Sequence, residues 1–333
     1  MRSGAMVPPL LAFLIGVAGL GPSPSDAKPL DAQTINSAQF SPQAKPGKGV
    51  DPVLVKAQVL LDRAKFSPGL IDGRAGSNLE KAIAAFQQAN NLPGGGKLDE
   101  PTWARLVETS PDPAIVEYTI ASDDVKGPFL EKVPSKMEDM VGLKRIGYSS
   151  PLELLGEKFH ASEALLEELN DGRSFDQSGA VISVPNVLPP PGKPRDKVAR
   201  IEVQKSERAL RAFDRDGKLL AFYPASIGST EKPAPSGTFK VKAIAQNPTY
   251  TYNPEFNFKG VKSKKKFEIA PGPNGPVGLV WIDLSAETYG IHGTPEPDRV
   301  GKGYSHGCVR LTNWDVKALA AMVEKGTTVE FRD

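Results

Sequence analysis

The stretch YSHGCVRLTN, Tyr304 to Asn313, holds Cys308, the only cysteine in a chain of 333 residues. His306 lies two positions before it, His292 precedes it by sixteen, and the chain has only three histidines. A thiol attacks as its thiolate, and an ordinary cysteine is only a few per cent ionised near neutrality. A nucleophilic Cys308 therefore needs a base or a positive neighbour, and imidazole is the side chain suited to take its proton. Glycines at 293, 301, 303 and 307 permit backbone geometry that other residues resist. Gly307, directly before Cys308, lets backbone N–H groups point toward a developing oxyanion. A hairpin-like loop returning Cys308 to His292 would join base, nucleophile and donors. The same atoms also suit zinc, since two imidazoles and a thiolate make three ligands. Glu296 and Asp298 are nearby for a fourth, although no CxxC pair accompanies them. His160, the remaining histidine, falls at a predicted helix end and reads as an ordinary surface or core residue.

The elements that must position these groups follow from composition and periodicity. A formal charge of +2 is too weak to indicate nucleic acid, and no helix-turn-helix or zinc-finger spacing is present. A single cysteine forms no internal disulfide. Arg2, an apolar run from Leu10 to Leu20 and Ser25-Asp26-Ala27 read as a signal peptide over 1–27, so the chain is expected to be exported. The apolar run is shorter than the ~20 residues that span a bilayer, and no cysteine follows it to carry a lipid. Residues 28–50, rich in Pro, Gln, Ser and Ala, read as a flexible linker.

From Asp51 the pattern is helical. Val53, Ala57, Leu60, Leu61 and Ala64 share one face; Ser77 and Glu80 have capping-box spacing ahead of Leu79, Ile83 and Phe86; Asp99 can cap a third helix carrying Trp103, Leu106 and Val107. Residues 51–110 are thus a small three-helix module. Residues 115–188 read as strand, helix, helix, strand, with a long insert over Val125–Gly147. NVLPPPGKPRDK, from Asn186, is Pro-rich and semi-rigid, and places a linker at 189–197. Beyond it strands predominate. Ala199–Ser229 predicts a strand pair turning at Asp216-Gly217, and Asn313–Glu324 predicts the single main helix. No phosphate-binding glycine pattern follows any strand. The fold class expected is multidomain α+β with a mostly-β unit over 198–333.

Family resemblances add to this reading. IHGT at Ile291–Thr294 followed by SHGCVRL at Ser305–Leu311 resembles the signature of the L,D-transpeptidase (YkuD-like) catalytic domain. IGSTEKPAPSGTFKV (Ile227–Val241) and PGPNGPVG (Pro271–Gly278) resemble further segments of that family, with Gly275 and Val277 as mild departures. GLIDGRAGSNLEKAIAAFQQANNLPGGGKLDEPTWARL resembles a peptidoglycan-binding helical module. The unit at 115–188 resembles a LysM glycan-binding module apart from its insert. The resemblance implies a β-sandwich with one main helix. It implies Cys308 as nucleophile, His292 as general base, the Gly293 carbonyl orienting His292, and amides near Gly307 and Cys308 as oxyanion donors. Tyr304, Ser305, His306 and Arg310 become substrate-pocket residues, Arg310 as partner for a carboxylate. The implied reaction cleaves the diaminopimelate–D-alanine bond of a wall tetrapeptide and passes the acyl group to an amine. The acceptor would be another stem or an anchored lipoprotein, and water would make the enzyme a carboxypeptidase. The resemblance also implies carbapenem acylation, no cofactor or metal, a monomer, and a periplasmic or cell-wall location.

The basic run Lys259–Phe267 lies between predicted strands, and a solvated loop is its ordinary reading. If it steers carboxylate-rich stems, replacing Lys262, Lys264, Lys265 and Lys266 with neutral residues lowers turnover more at low salt than at high salt. Salt-independent kinetics would leave it a solvated loop.

Overall fold

A computed structural model describes residues 1, 30–43, 49–188, 196–229, 232–256, 260–305 and 307–333. The expected signal segment beyond Met1, most of the Pro-rich linker and His306 lie outside the described residues.

The expected linker at 28–50 contains a helix. α1 (Ala32–Ser37) is capped by Asp31, whose carboxylate accepts from Thr34 N at 2.6 Å, and Ile35 is fully buried. One apolar residue is enough to hold so short an element when it enters an existing core. Here that core belongs to α2 (Pro52–Arg63) and the next unit, where Val55, Val59, Ile120, Phe159 and Ile182 share one cluster with Ile35. Asn36 adds a pair of side-chain bonds to the backbone of Ile115, both 2.9 Å. A single Ile in a Ser/Gln/Pro-rich segment has no periodicity, which is why composition alone suggested a tether.

α2 begins at the Asp51 cap, with Pro52 in the first turn, where its missing N–H costs nothing. α3 (Ser77–Ala89) starts one residue earlier than the capping-box spacing suggests. Gly76 is the cap, Ser77 is already helical, and no side-chain capping bond forms. α4 (Glu100–Thr109) is capped by Asp99, which accepts from Thr102 N at 2.9 Å. The helices do not close a core of their own. Leu60, Leu61, Phe66, Leu79, Ile83, Phe86 and Leu106 pack together with Ala209, Phe213, Leu219 and Phe222 of the large sheet.

The second unit has the expected strand–helix–helix–strand order. β1 (Ile115–Thr119) pairs antiparallel with β2 (Val181–Pro185). Between them lie a short α5 (Ser122–Val125), then α6 (Pro151–Lys158) and α7 (Glu163–Leu169), capped by Ser150 and Ser162.

The third unit carries β3 (Arg200–Gln204), β4 (Ala209–Phe213), β5 (Leu219–Pro224), β6 (Ser226–Ile227), β7 (Gly237–Gln246), β8 (Tyr250–Tyr252), β9 (Phe267–Ile269), β10 (Val280–Leu284), β11 (Gly290–His292), β12 (Val309–Arg310), α8 (Asn313–Met322) and β13 (Thr328–Arg332). Three strands, not two, precede Ile227. The extra turn lies at 205–208, where Arg208 has φ 52, and its sequence KSER lacks the Gly, Asn or Pro that marks such a turn.

Nine strands form one continuous sheet in the order β5-β4-β3-β13-β7-β10-β11-β12-β6. β7 makes it continuous by switching partners along its length. Gly237–Lys240 pairs with β13, and Val241–Gln246 pairs with β10. The halves on either side of that switch bury one core, in which Ile201, Val203 and Leu210 meet Val280, Ile282, Ile291 and Val309. α8, capped by Thr312, supplies Val316, Leu319 and Met322 to the same core.

The units are bolted together. Phe222 of edge strand β5 exchanges backbone bonds with Lys65 and Ser67, each 2.9 Å, so the helical module covers an edge that would otherwise be open for pairing. His160 sits at the three-way junction. It lies 3.0 Å from the Asp62 carboxylate and stacks on Trp314 at 5.1 Å and 10°.

The docking of α1 yields a stability prediction. Ile35→Ala is expected to cost about 2–5 kcal/mol, the usual range for a fully buried large-to-small change. Chemical denaturation measures it, and an unshifted midpoint would restore the tether reading.

Candidate active site

The site lies on the outward face of β10, β11 and β12. β11 and β12 run parallel, with Ile291 opposite Val309 and His292 opposite Arg310. On the other side of β11, His292 faces Trp281 of β10, and on the other side of β12, Arg310 faces Ser226 of β6. Side chains alternate between faces along a strand. Ile282, Ile291, Val309 and Ile227 therefore go to the core, leaving Trp281, His292 and Arg310 together on the opposite face. Cys308, two residues before Arg310, belongs to that face. The connection from Gly293 to Cys308 is thus a crossover between parallel neighbours and not a hairpin, as parallel pairing requires. The expected hairpin-like return is replaced by this crossover. Cys308, His292 and Arg310 all line one cavity of about 860 Å³.

His292 is held from two sides. Its Nδ1 lies 2.7 Å from the carbonyl oxygen of Gly293, an acceptor only, so Nδ1 carries the hydrogen. In the neutral ring, Nε2 then bears the lone pair. The ring stacks on Trp281 at 5.3 Å and 18°. Burial, then the Arg310 charge, push the His292 pKa down to about 3, against the opposing pull of the Gly293 carbonyl. The imidazole is neutral at physiological pH.

Gly293 has its own brace. A Cβ there would come within 2.2 Å of Asn313 Oδ1, and one on Gly278 within 2.1 Å of the same atom. Asn313 Oδ1 accepts from Leu279 N at 3.0 Å, and its Nδ2 donates to Glu157 Oε1 at 2.7 Å and to Pro273 O at 3.1 Å. One buried amide, the first residue of α8, wedges the glycine peptides in place.

Cys308 is half-buried, with Sγ 3.7 Å from the Thr288 carbonyl oxygen. Burial raises its pKa, while the Gly290 backbone and the Arg310 charge pull it down. On this cavity the imidazole is neutral, and burial favours the neutral thiol. Ser305 is buried and ties the loop from inside. Its hydroxyl donates to the Cys308 carbonyl and accepts from Gly307 N at 3.2 Å. The Gly307 N–H is thereby engaged within the loop. Gly307 has φ 117, and a Cβ there would press on the Tyr289 ring at 3.1 Å.

The remaining expected residues are distributed unequally. Arg310 lines both the thiol cavity and a neighbouring one of about 580 Å³. Tyr304 lines only the neighbouring cavity and is mostly exposed, with the Arg208 guanidinium 4.4 Å above its ring. His306 lies outside the described residues, and with it the proposed zinc set. Among the described residues no group of three His, Cys, Asp or Glu side chains gathers to hold a metal. Residues that sequence reasoning missed include Trp281, Tyr289, Asn313 and Tyr250. Glycines lie against three of them: Gly290 against the Trp281 ring, Gly293 and Gly278 against Asn313, and Gly307 against Tyr289.

Residues 198–331 match the family described as L,D-transpeptidase catalytic domain, and residues 51–106 match one described as "Putative peptidoglycan binding domain". A Bacillus licheniformis protein named "Putative L,D-transpeptidase YkuD" is 32% identical over 180 residues, covering 54% of this chain and 91% of that protein. "Probable L,D-transpeptidase YbiS" of Escherichia coli K12 is 26% identical over 211 residues, 60% of this chain and 68% of the relative. Among solved structures, an L,D-transpeptidase from Mycobacterium smegmatis is 17% identical with a TM-score of 0.34, over 47% of this chain and 75% of that one.

Arg310 favours the thiolate and disfavours the imidazolium, so Arg310→Met is expected to raise both pKa values. Iodoacetamide alkylation of Cys308, followed by intact mass, should shift its pH profile upward in the variant. A superimposable profile would show that the guanidinium is electrostatically silent.

Proposed function

The chain belongs to the L,D-transpeptidase family, and on that premise we propose that Cys308 is its acyl-forming nucleophile and His292 the general base. The observation that carries this reading is the pairing on one cavity wall of the sole thiol and an imidazole whose Nδ1–H is committed to the Gly293 carbonyl. That commitment leaves Nε2 as the proton acceptor, with a carbonyl doing the orienting work of the carboxylate in a Ser-His-Asp triad. Because both groups rest neutral, the proton moves from Sγ to Nε2 as the thiolate attacks the substrate carbonyl. The imidazolium so formed is stabilised by the Gly293 oxygen and by the new negative charge beside it.

The substrate is a peptidoglycan tetrapeptide stem. Sγ attacks the carbonyl of the diaminopimelate–D-alanine amide, and the C–N bond breaks as His292 returns its proton to the leaving amine. D-alanine departs and a thioester remains. An amine then attacks the thioester, His292 takes the amine proton, and the thiol is released carrying it. The acceptor amine comes from a second stem or from an anchored protein, and water yields the shortened stem. Ser305 holds the Gly307 amide, so the oxyanion role falls to the Cys308 N–H. Arg310 faces a substrate carboxylate from the wall it shares with Cys308. The helical module at 51–106 and the βααβ unit bind glycan strands. The site is extracytoplasmic, where this polymer lies.

Purified protein incubated with tetrapeptide stems is expected to release D-alanine and form dimers or tripeptides, identified by mass. Cys308→Ala abolishes the products and the carbapenem adduct. His292→Gln lowers the acylation rate by about 10²–10⁴-fold, the usual contribution of a positioned base. Full activity in Cys308→Ala would end this reading.

A further inference from the structure

One wall of the thiol cavity comes from outside the catalytic domain. Met137 lines it, yet Met137 belongs to the insert between α5 and α6 of the βααβ unit, on a short 3-10 turn from Met137 to Met140. The matched catalytic family segment begins only at residue 198.

The insert is fastened to the catalytic unit at both ends. The Glu138 carboxylate accepts from Lys262 N at 2.7 Å and Ser263 N at 3.4 Å. Ile146 donates to the Pro271 carbonyl at 3.0 Å and accepts from Asn274 N at 3.1 Å. Gly272 passes so close that a Cβ would lie 2.1 Å from the Ile146 oxygen. Between these anchors Met140, Ile146 and Ile269 form a buried cluster, against which Met137, Tyr250 and Phe267 pack. Phe267 and Ile269 belong to β9, which pairs with β8, and Tyr250 and Thr251 of β8 line the same cavity as Met137. The insert and the β8–β9 ribbon are therefore one wall.

We propose that Met137 is a specificity-determining residue, contacting the aliphatic part of the acyl-donor peptide bound at Cys308. This rests on the transpeptidase reading above. The same lining includes Pro248, Pro276, Val277 and Trp281, so the cavity offers apolar surface beside its few polar groups. Met is unbranched and polarisable, which suits it to close around a flexible aliphatic chain. Its removal leaves the chemistry at Sγ untouched, because Met137 has no part in holding His292 or Cys308.

The test uses the full-length protein with a tetrapeptide stem as probe. Met137→Ala is expected to raise KM about tenfold, the scale of a lost apolar contact, with kcat nearly unchanged. Iodoacetamide alkylation of Cys308 should proceed at the wild-type rate, which a merely structural loss would not allow, and Met137→Leu should restore most of the affinity. Glu138→Ala, which unties the insert without touching the cavity, should raise KM in the same direction. A wild-type KM in Met137→Ala, or an alkylation rate that falls along with turnover, overturns this inference alone. A wild-type protein that leaves the tetrapeptide intact overturns it together with the reading it rests on.

Discussion

The site depends on the parallel pairing of two very short strands. β11 and β12 contribute only Gly290–His292 and Val309–Arg310, too little backbone to hold a register on hydrogen bonds alone. Their register is set from behind, because Ile291 and Val309 must both enter the core. A slip of one residue would turn His292 and Arg310 toward the apolar core and take two aliphatic side chains out of it. The hydrophobic effect on one face thus determines which polar groups meet on the other.

A second constraint acts on the imidazole. Its orientation needs the Gly293 carbonyl, and that peptide is wedged by Asn313, which is held in turn by Glu157 of the βααβ unit. Glu157 is deeply buried, which lifts its pKa to about 7 despite the bonds from Asn313 and Tyr148. Asp315, two residues after Asn313 in α8, is likewise lifted to about 7 by burial and by the nearby Asp62 charge, with Ser67 donating to it at 3.0 Å. Elements from three units converge on the first turn of α8. The non-catalytic units are therefore part of the framework of the site and not merely tethered to it.

The candidate site was legible in the chain because its residue types are rare there. One cysteine, two nearby histidines and several glycines form a local pattern, and the cap at Asp99 and the alternating strands are local too. The misreadings have equally local causes. Ala32–Ser37 has one buried residue and no periodicity, the turn at 205–208 has no Gly, Asn or Pro, and Ser77 has the right spacing for a cap that Gly76 takes instead. The hairpin expected between His292 and Cys308 failed because strand direction is set by the rest of the sheet, which no loop sequence records.

By itself the sequence determined which residue types could do chemistry, their order along the chain and most of the elements that carry them, since these depend on residue type and on neighbours within a turn or two. Only the tertiary structure decided that Trp281 backs the imidazole, that Asn313 steadies Gly293, that Tyr304 faces a different cavity, and that Met137 closes the first one. Met137 and Cys308 are far apart in the chain, and even Trp281 and His292 meet only because their strands pair. Such contacts follow from how packed surfaces exclude water and fill space, and no spacing within a single segment encodes them.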